Sequence, residues 1–406
     1  MSGPDGGAPL YLYDDERARG FEPFALTRPV AELRSGALLT RQRWEAAAGV
    51  RAAGLLCAPH LADFDEADAP TAENGELPAG SIVANSRCTI DLTAPLGDGA
   101  VWTCGGRVAA VRLAHAMPAS TFAGGGLALE TLAPSGAPAR TLEGRWLEEV
   151  WDLIRLLPEQ LAGDIARIGA RLETESPPQA VTLGAHPLFV ERGATVEPMV
   201  CFDLSDGPVL VRRGATVRAF TRLVGPCAIG EGSVVAGDRI AATSVGEHCR
   251  VHGEVSSSVF LAYANKAHDG FVGHSYLGRW SNLGAGTTTS NLKNTYGAVA
   301  LWTPSGVRDT GMQFLGSFVG DHAKMGIGMR LTTGTVVGAG ANVFGASMPP
   351  KAIPPFAWGD AAPYDSYALE KFLAVAERAM ARRHVELGER GRRHLAAVHG
   401  RRWMVA

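Results

Sequence analysis

The stretch 211–235, VRRGATVRAFTRLVGPCAIGEGSVV, sets an apolar residue at every sixth position: Val211, Val217, Leu223, Ile229 and Val235. The same period runs backward through Phe202, Val196 and Val190, after a slip of three residues across Ser205–Pro208. It runs forward through Val245 and Val251, through Phe271, Leu277 and Leu283, and through Val319, Met325, Leu331, Val337 and Val343. Glycine follows several of these positions, as at Gly230, Gly278 and Gly338.

A six-residue period fits neither an amphipathic helix nor an alternating strand. It fits a coil in which each hexad supplies one short strand and one corner, with the apolar residue turned into a triangular core. Residues 181–350 therefore read as a left-handed parallel β-helix of hexapeptide repeats. The slip at Ser205–Pro208 reads as a short corner insertion. After Met348-Pro349-Pro350-Lys351 the chain leaves the repeat, and residues 351–406 read as a cap with an amphipathic helix over Tyr364–Arg382.

Residues 1–180 read as a mixed α/β domain. Short apolar runs predict strands at Leu10–Tyr13, Leu55–Cys57 and Ser81–Ala84, and a helix is expected at Thr40–Ala48. Trp146, Val150, Leu153, Ile154, Leu157, Leu161 and Ile165 fall at helical spacing. Pro158 divides that stretch into two consecutive helices, and Ser176-Pro177-Pro178 reads as a linker.

The bulk numbers fit this division. A chain of 406 residues is long for one core, and 50 glycines suit a repeat with many corners. A net charge of -3 gives no reason to expect nucleic acid. The six cysteines show no paired metal spacing and read as reduced thiols. The acidic start lacks the apolar core of a signal peptide, and no run has the length of a membrane span. Together these predict a cytoplasmic protein with no membrane partner. The tail carries Arg382, Arg383, Arg390, Arg392, Arg393, Arg401 and Arg402, which suit a solvated helix face or, alternatively, a phosphate site.

Chemistry concentrates in Asn265-Lys266-Ala267-His268-Asp269-Gly270-Phe271-Val272-Gly273-His274, followed by Leu283-Gly284-Ala285-Gly286-Thr287 and Asn291-Leu292-Lys293-Asn294. In this region the chain resembles the acetyltransferase domain of the bifunctional glucosamine-1-phosphate acetyltransferase/N-acetylglucosamine-1-phosphate uridylyltransferases. The resemblance implies His268 as general base, Asn282 as a sugar contact, and Ala285, Asn291 and Ala339 beside acetyl-CoA. Phe271 stands where the family has a sugar-contacting Tyr, and Asp321 where it has a Ser of the acetyl-CoA site. Ser256 replaces a substrate-binding Lys, and Leu292 replaces a Tyr. Lys266 would then restore a positive charge on the sugar side, and Lys293 one on the cofactor side. It also implies a homotrimer with sites between neighbouring copies.

The chemistry accounts for a histidine. An amine must lose its proton as it attacks a thioester, and imidazole titrates near neutrality. A backbone N–H at the corner Leu283–Gly286 would stabilise the oxyanion. Asp269 either orients an imidazole or sits at the corner, and His274 and His322 either line a pocket or pack.

A second resemblance rests on Asp14-Asp15, the run Leu26-Thr27-Arg28-Pro29-Val30-Ala31-Glu32-Leu33-Arg34, Trp151-Asp152-Leu153 and Phe314-Leu315-Gly316. These are similar to a divergent subfamily of sugar nucleotidyltransferases, which implies a nucleotidyltransferase-like fold for the first domain. The Gly-rich phosphate loop that ordinarily follows the first strand is replaced by Asp14-Asp15-Glu16. One reading gives Arg28 and Arg34, with Arg41, to the phosphates of a nucleoside triphosphate, and Asp14 and Asp15 to Mg²⁺. The other is a strand-end turn with surface arginines. The combined expectation is an enzyme that acetylates an amino sugar phosphate from acetyl-CoA and transfers a nucleotidyl group to a sugar phosphate. A non-catalytic binding protein, or one retaining a single activity, is the alternative.

Overall fold

In the computed structural model, which describes residues 7–93, 95–401 and 403, the chain divides into two compact units. The described residues up to Val150, together with Gly388–Gly400, form the first; those of Trp151–Leu387, with Arg401 and Trp403, form the second. The division falls after Val150, whereas the sequence places it at 180. The expected third segment, 351–406, has no unit of its own.

The first unit is built on a six-stranded sheet. Its strands are β1 (Leu10–Tyr13), β2 (Ala52–Leu56), β3 (Ile82–Asn85), β4 (Val101–Cys104), β5 (Arg107–Arg112) and β6 (Ala139–Thr141), in the order β6-β4-β5-β3-β1-β2. All four residues of β1 are buried, as expected of a strand flanked by parallel neighbours β2 and β3. Strands β4 and β5 pair antiparallel across Gly105-Gly106, both at positive φ, the backbone that a two-residue hairpin demands. Helix α1 (Thr40–Ala48) ends at Gly49 in the left-handed conformation, φ 70°. The parallel β1 and β3 thus end side by side, and Asp14-Asp15 and Ser86-Arg87 leave the sheet together. In open α/β sheets ligands bind beyond such carboxyl ends.

The second unit begins with α2 (Asp152–Arg155) and α3 (Leu157–Gly169). Pro158 occupies the first turn of α3, where its missing N–H costs nothing. The next strands wind a parallel solenoid of about ten turns. Its face A runs from Val181–Gly184 to Val272–Gly273, face B from Leu188–Val190 to Ala352–Ile353, and face C from Thr195–Val196 to Ala357–Gly359. On face B one column, Val190, Val211, Ile229, Val245, Phe260, Leu277, Val319, Val337 and Ile353, stacks rung on rung. These residues are buried, and each contributes roughly 1.5–3 kcal/mol by burial. The glycines after the hexad residues have a steric reason. A Cβ on Gly230 would lie 2.6 Å from the Gly246 backbone, and one on Gly338 would lie 2.2 Å from Pro355 N.

The hexad frame fails at one expected place. Val272, paired with Val255, is the core residue of its rung, and Phe271 stands outside the column. The face-C rung just before it holds an unexpected core residue, since Lys266 pairs with Val251 at 2% exposure.

Helix α4 (Leu369–Ala381) lies within the second unit, burying Phe372, Leu373 and Ala376. It is shorter than the expected Tyr364–Arg382, because Asp365–Ser366 pairs as a strand with Ala357–Gly359. Helix α5 (Glu389–His399), not anticipated from the sequence, belongs to the first unit. There His394 Nε2 meets the Thr27 carbonyl at 2.8 Å, and Arg393 pairs with Asp63 at 3.1 Å. Arg402 lies outside the described residues. No helix among the described residues is long and apolar enough to cross a membrane.

Candidate active sites

A cavity of about 290 Å³ opens at the carboxyl ends of β1 and β3, with Asp15, Arg17, Asn85, Arg107 and Trp146 in its wall. The Asp15 carboxylate accepts from Arg87 at 2.6 Å, from Asn85 at 2.9 Å and from the Ala18 N–H at 2.9 Å. Burial works to raise its pKa, but the Arg87 bonds prevail and hold it below the ordinary aspartate value. Asp14 behaves oppositely. Burial pushes its pKa up to about 6, against a Ser86 hydroxyl bond and a 3.0 Å bond from the Val30 N–H.

These partners test the Mg²⁺ expectation. The oxygens of Asp14 and Asp15 already accept from a hydroxyl, two backbone N–H groups, an amide and a guanidinium. A divalent ion on Asp15 would have to displace Arg87, so the pair does not fit a metal site as it stands.

The arginine cluster is corrected as well. Arg28 is 2% exposed, with Nη2 at 2.7 Å from Glu66. Arg34 is 3% exposed and donates to the Ala37 carbonyl. Arg41 is clamped between Glu32 at 2.5 Å and Glu45 at 2.9 Å. These guanidiniums have internal partners in and around the loop that the run 26–34 builds. A glycine-rich segment does reach the cavity, from an unexpected part of the chain. Gly125 and Gly126 line it, and the Gly125 carbonyl accepts the Glu16 N–H at 2.8 Å. The signal for this was present in the sequence as Gly124-Gly125-Gly126.

On the solenoid the expected residues fall at three corners of the triangular prism. His268 and Ala285 follow the face-C strands Asn265–Lys266 and Asn282–Leu283, and the His268 side of that corner is exposed. Beside it His252 lies 3.4 Å from Asp269 and 3.8 Å from Asp238. At the corner that closes face A, the Asn291 amide meets His274 Nδ1 at 2.9 Å, and burial lowers the His274 pKa. A Cβ on Gly273 would touch both the Phe271 ring and the Asn291 amide, so these two share one patch. Asp321 and Ala339 stand at the corner joining faces B and C, where Asp321 accepts the Arg279 N–H at 2.7 Å.

Three of the expected contacts are spent inside the chain. The Lys266 ammonium donates to the carbonyls of His252, at 2.8 Å, and His268, and burial brings its pKa down to about 8. The Lys293 ammonium caps the Ala298 carbonyl. Asp321 is 2% exposed.

Asn282 is placed differently. It lies in the wall of a cavity of about 490 Å³ with Lys324 and α4, and Arg378, Arg382 and Arg383 project from the α4 side. Asn265, one rung away, donates to Asn282 Oδ1 at 2.7 Å. The helix and its Arg382 and Arg383 were expected from the sequence, whereas Lys324 was not, because an outward hexad position carries no spacing signature.

Comparison with known proteins accords with the two-part reading. Residues 10–172 match the family model described as sugar nucleotidyl transferase; the match runs past Val150 and includes α2 and most of α3. The chain is 31% identical over 91 residues to the bifunctional sugar-1-phosphate nucleotidylyltransferase/acetyltransferase of Sulfurisphaera tokodaii. That alignment covers 22% of this chain and 23% of the relative, so under a quarter of the relative's length is spanned. A hexapeptide transferase family protein from Anaplasma phagocytophilum aligns over 54% of this chain and 96% of its own, at 13% identity and a TM-score of 0.24. Residues 10–172 thus match the sugar nucleotidyl transferase family model, and the same chain carries a parallel β-helix of hexapeptide repeats.

Proposed function

We propose that the chain is a transferase of sugar-nucleotide synthesis. In this reading the solenoid moves an acetyl group from acetyl-CoA to an amino sugar phosphate such as glucosamine-1-phosphate, and the first unit holds a sugar nucleotide. The observation that carries it is the exposed His268 at the face-C corner of a solenoid, in a chain whose residues 10–172 match the sugar nucleotidyl transferases. The substrate amine attacks the thioester carbonyl, the C–N bond forms, and the C–S bond breaks. The proton leaving nitrogen passes to the imidazole of His268 and then to the departing thiolate.

Three corners of one prism do not converge on one reacting atom. The placement of His268, Asn291 and Ala339 at three different corners supports a trimer in which neighbouring copies each contribute one corner. The first unit supports nucleotidyl transfer less well, since Asp14, Asp15, Arg28 and Arg34 have internal partners. That observation favours a second reading, in which the first unit binds a sugar nucleotide without turning it over.

Thiol release from acetyl-CoA with glucosamine-1-phosphate as acceptor tests the first reading. His268→Ala should abolish it while fold and oligomeric state persist; equal rates for the variant and the parent would refute the assignment of the base. Exchange of labelled pyrophosphate into a nucleoside triphosphate, in the presence of a sugar-1-phosphate, separates the bifunctional case from the second reading.

A further inference from the structure

The corner joining faces B and C has an unusual backbone. His248, Tyr263, Trp280, His322 and Phe356 all sit at positive φ, between 52° and 61°. Side chains rarely adopt this conformation, and it costs of order 1 kcal/mol per residue. Each is locked by a bond from its N–H to the coil before it, as Tyr263 is to Glu247 and His322 to Arg279. The rings stack into a ladder: His248 on Tyr263 at 4.9 Å, Tyr263 on Trp280 at 4.1 Å, and Trp280 on His322 at 6.3 Å. A rigid aromatic wall therefore flanks the 490 Å³ cavity, where Tyr263 and Trp280 reach the lining.

Beside this wall, positive charge is concentrated, and the Lys324 ammonium donates to the Trp280 carbonyl at 2.5 Å. Lys324 projects outward from face C, in register with Asn282, and burial brings its pKa down to about 8. Arg378, Arg382 and Arg383 line the α4 side. Burial lowers the pKa of Arg250, and its neighbours Arg383 and Arg218 lower it further. Among the described residues, no carboxylate lies within ion-pair distance of Lys324, Arg250, Arg378, Arg382 or Arg383. Arg28, Arg41 and Arg87 in the first unit contrast with this, since each holds a carboxylate. Grouping like charges without counter-ions costs stability, and the cost is recovered when an anion binds.

We propose that this cavity, complete within a single chain, is a binding site for the diphosphate group of an organic ligand. Arg378, Arg382 and Arg383 clamp the phosphates, and the Asn265–Asn282 pair meets the uncharged remainder. Arginine suits the role because its planar fork engages two phosphate oxygens at once. Two ligands share this chemistry: the nucleoside diphosphate of a sugar nucleotide, and the pyrophosphate of coenzyme A. The inference rests on binding alone, so an enzyme inactive in thiol release would leave it intact.

Calorimetric titration of the full chain with uridine diphosphate, coenzyme A and uncharged adenosine tests it. At least one diphosphate should bind and adenosine should not; the tighter of the two identifies the source. Losing two charge-assisted contacts in the Arg382→Ala/Arg383→Ala double variant should weaken binding about tenfold or more. Arg382→Lys/Arg383→Lys should retain part of the affinity. Arg239→Ala, an exposed arginine on face A, removes charge elsewhere and should leave it unchanged. Failure of both diphosphates to bind would overturn the proposal, as would equal binding by the double alanine variant and the parent.

Discussion

Lys266 Nζ donates to the carbonyl of His252 at 2.8 Å although its Cα occupies a core register, paired with Val251. The aliphatic stem fills the position of a hexad valine, while the ammonium turns out at the corner to hold the His252 and His268 carbonyls. The ammonium is thereby tied to the backbone of the residue proposed as the base.

Lys266→Met should report this through pH. Burial lowers the folded-state pKa of Lys266 to about 8, against an ordinary value near 10.4. A lowered lysine contributes stability that is present above the unfolded pKa and is lost as pH falls through the folded one. The stability of the parent relative to Lys266→Met should therefore rise between pH 8 and about 10.5, by up to about 3 kcal/mol. Denaturant midpoints at both ends of that window measure it, and a flat difference would contradict the assignment.

Asp14 has the opposite trend available. Its folded pKa is raised to about 6 by burial, so its contribution is present below the unfolded value and lost as pH climbs through 6. Asp14→Asn keeps an acceptor for the Val30 N–H and offers a donor to Ser86. The variant should be more stable than the parent at pH 8 by about 1–3 kcal/mol, with the gain vanishing near pH 4. Thermal unfolding across that range checks it.

Arg28→Ala separates structure from phosphate recognition. It removes the guanidinium that lies 2.7 Å from a Glu66 that is 15% exposed, and breaking such a pair costs about 3–5 kcal/mol. The melting temperature should fall steeply. Arg28→Ala/Glu66→Ala together should recover part of the loss, which a ligand-binding role would not predict.

Trp280→Ala attacks the aromatic ladder. It removes a ring that is 5% exposed and leaves alanine at φ 61°, for an expected cost of about 3–5 kcal/mol. Trp280→Gly relieves the backbone while losing the same ring, so it should be the milder change. Equilibrium unfolding of both variants ranks them.

The solenoid was legible because its period is imposed by packing. Val211, Val217, Leu223, Ile229 and Val235 recur since each rung needs one core residue, and all are buried. Phe271 misled the frame because a neighbouring Val272 also satisfies an apolar pattern, and only rung pairing distinguishes them. Strand β1 was fully visible in LYLY, whereas the roles of Arg28 and Arg34 were not. A guanidinium reads the same in sequence whether it faces a phosphate or Glu66. The α4 cavity was invisible for a related reason: Lys324 and Arg382 are 58 residues apart, and nothing short of the coil geometry sets them together.

Helix α5 carries a consequence for biogenesis. Its residues Gly388–Gly400 complete the first unit, yet they are synthesised after every rung of the solenoid. The first unit begins on the ribosome but is finished only when the solenoid has emerged. Until then Thr27 and Asp63 lack the partners that His394 and Arg393 provide. A ribosome that stops before residue 388 releases a chain whose repeat can wind but whose first unit is left open, and quality control would meet the damage at the opposite end from the truncation.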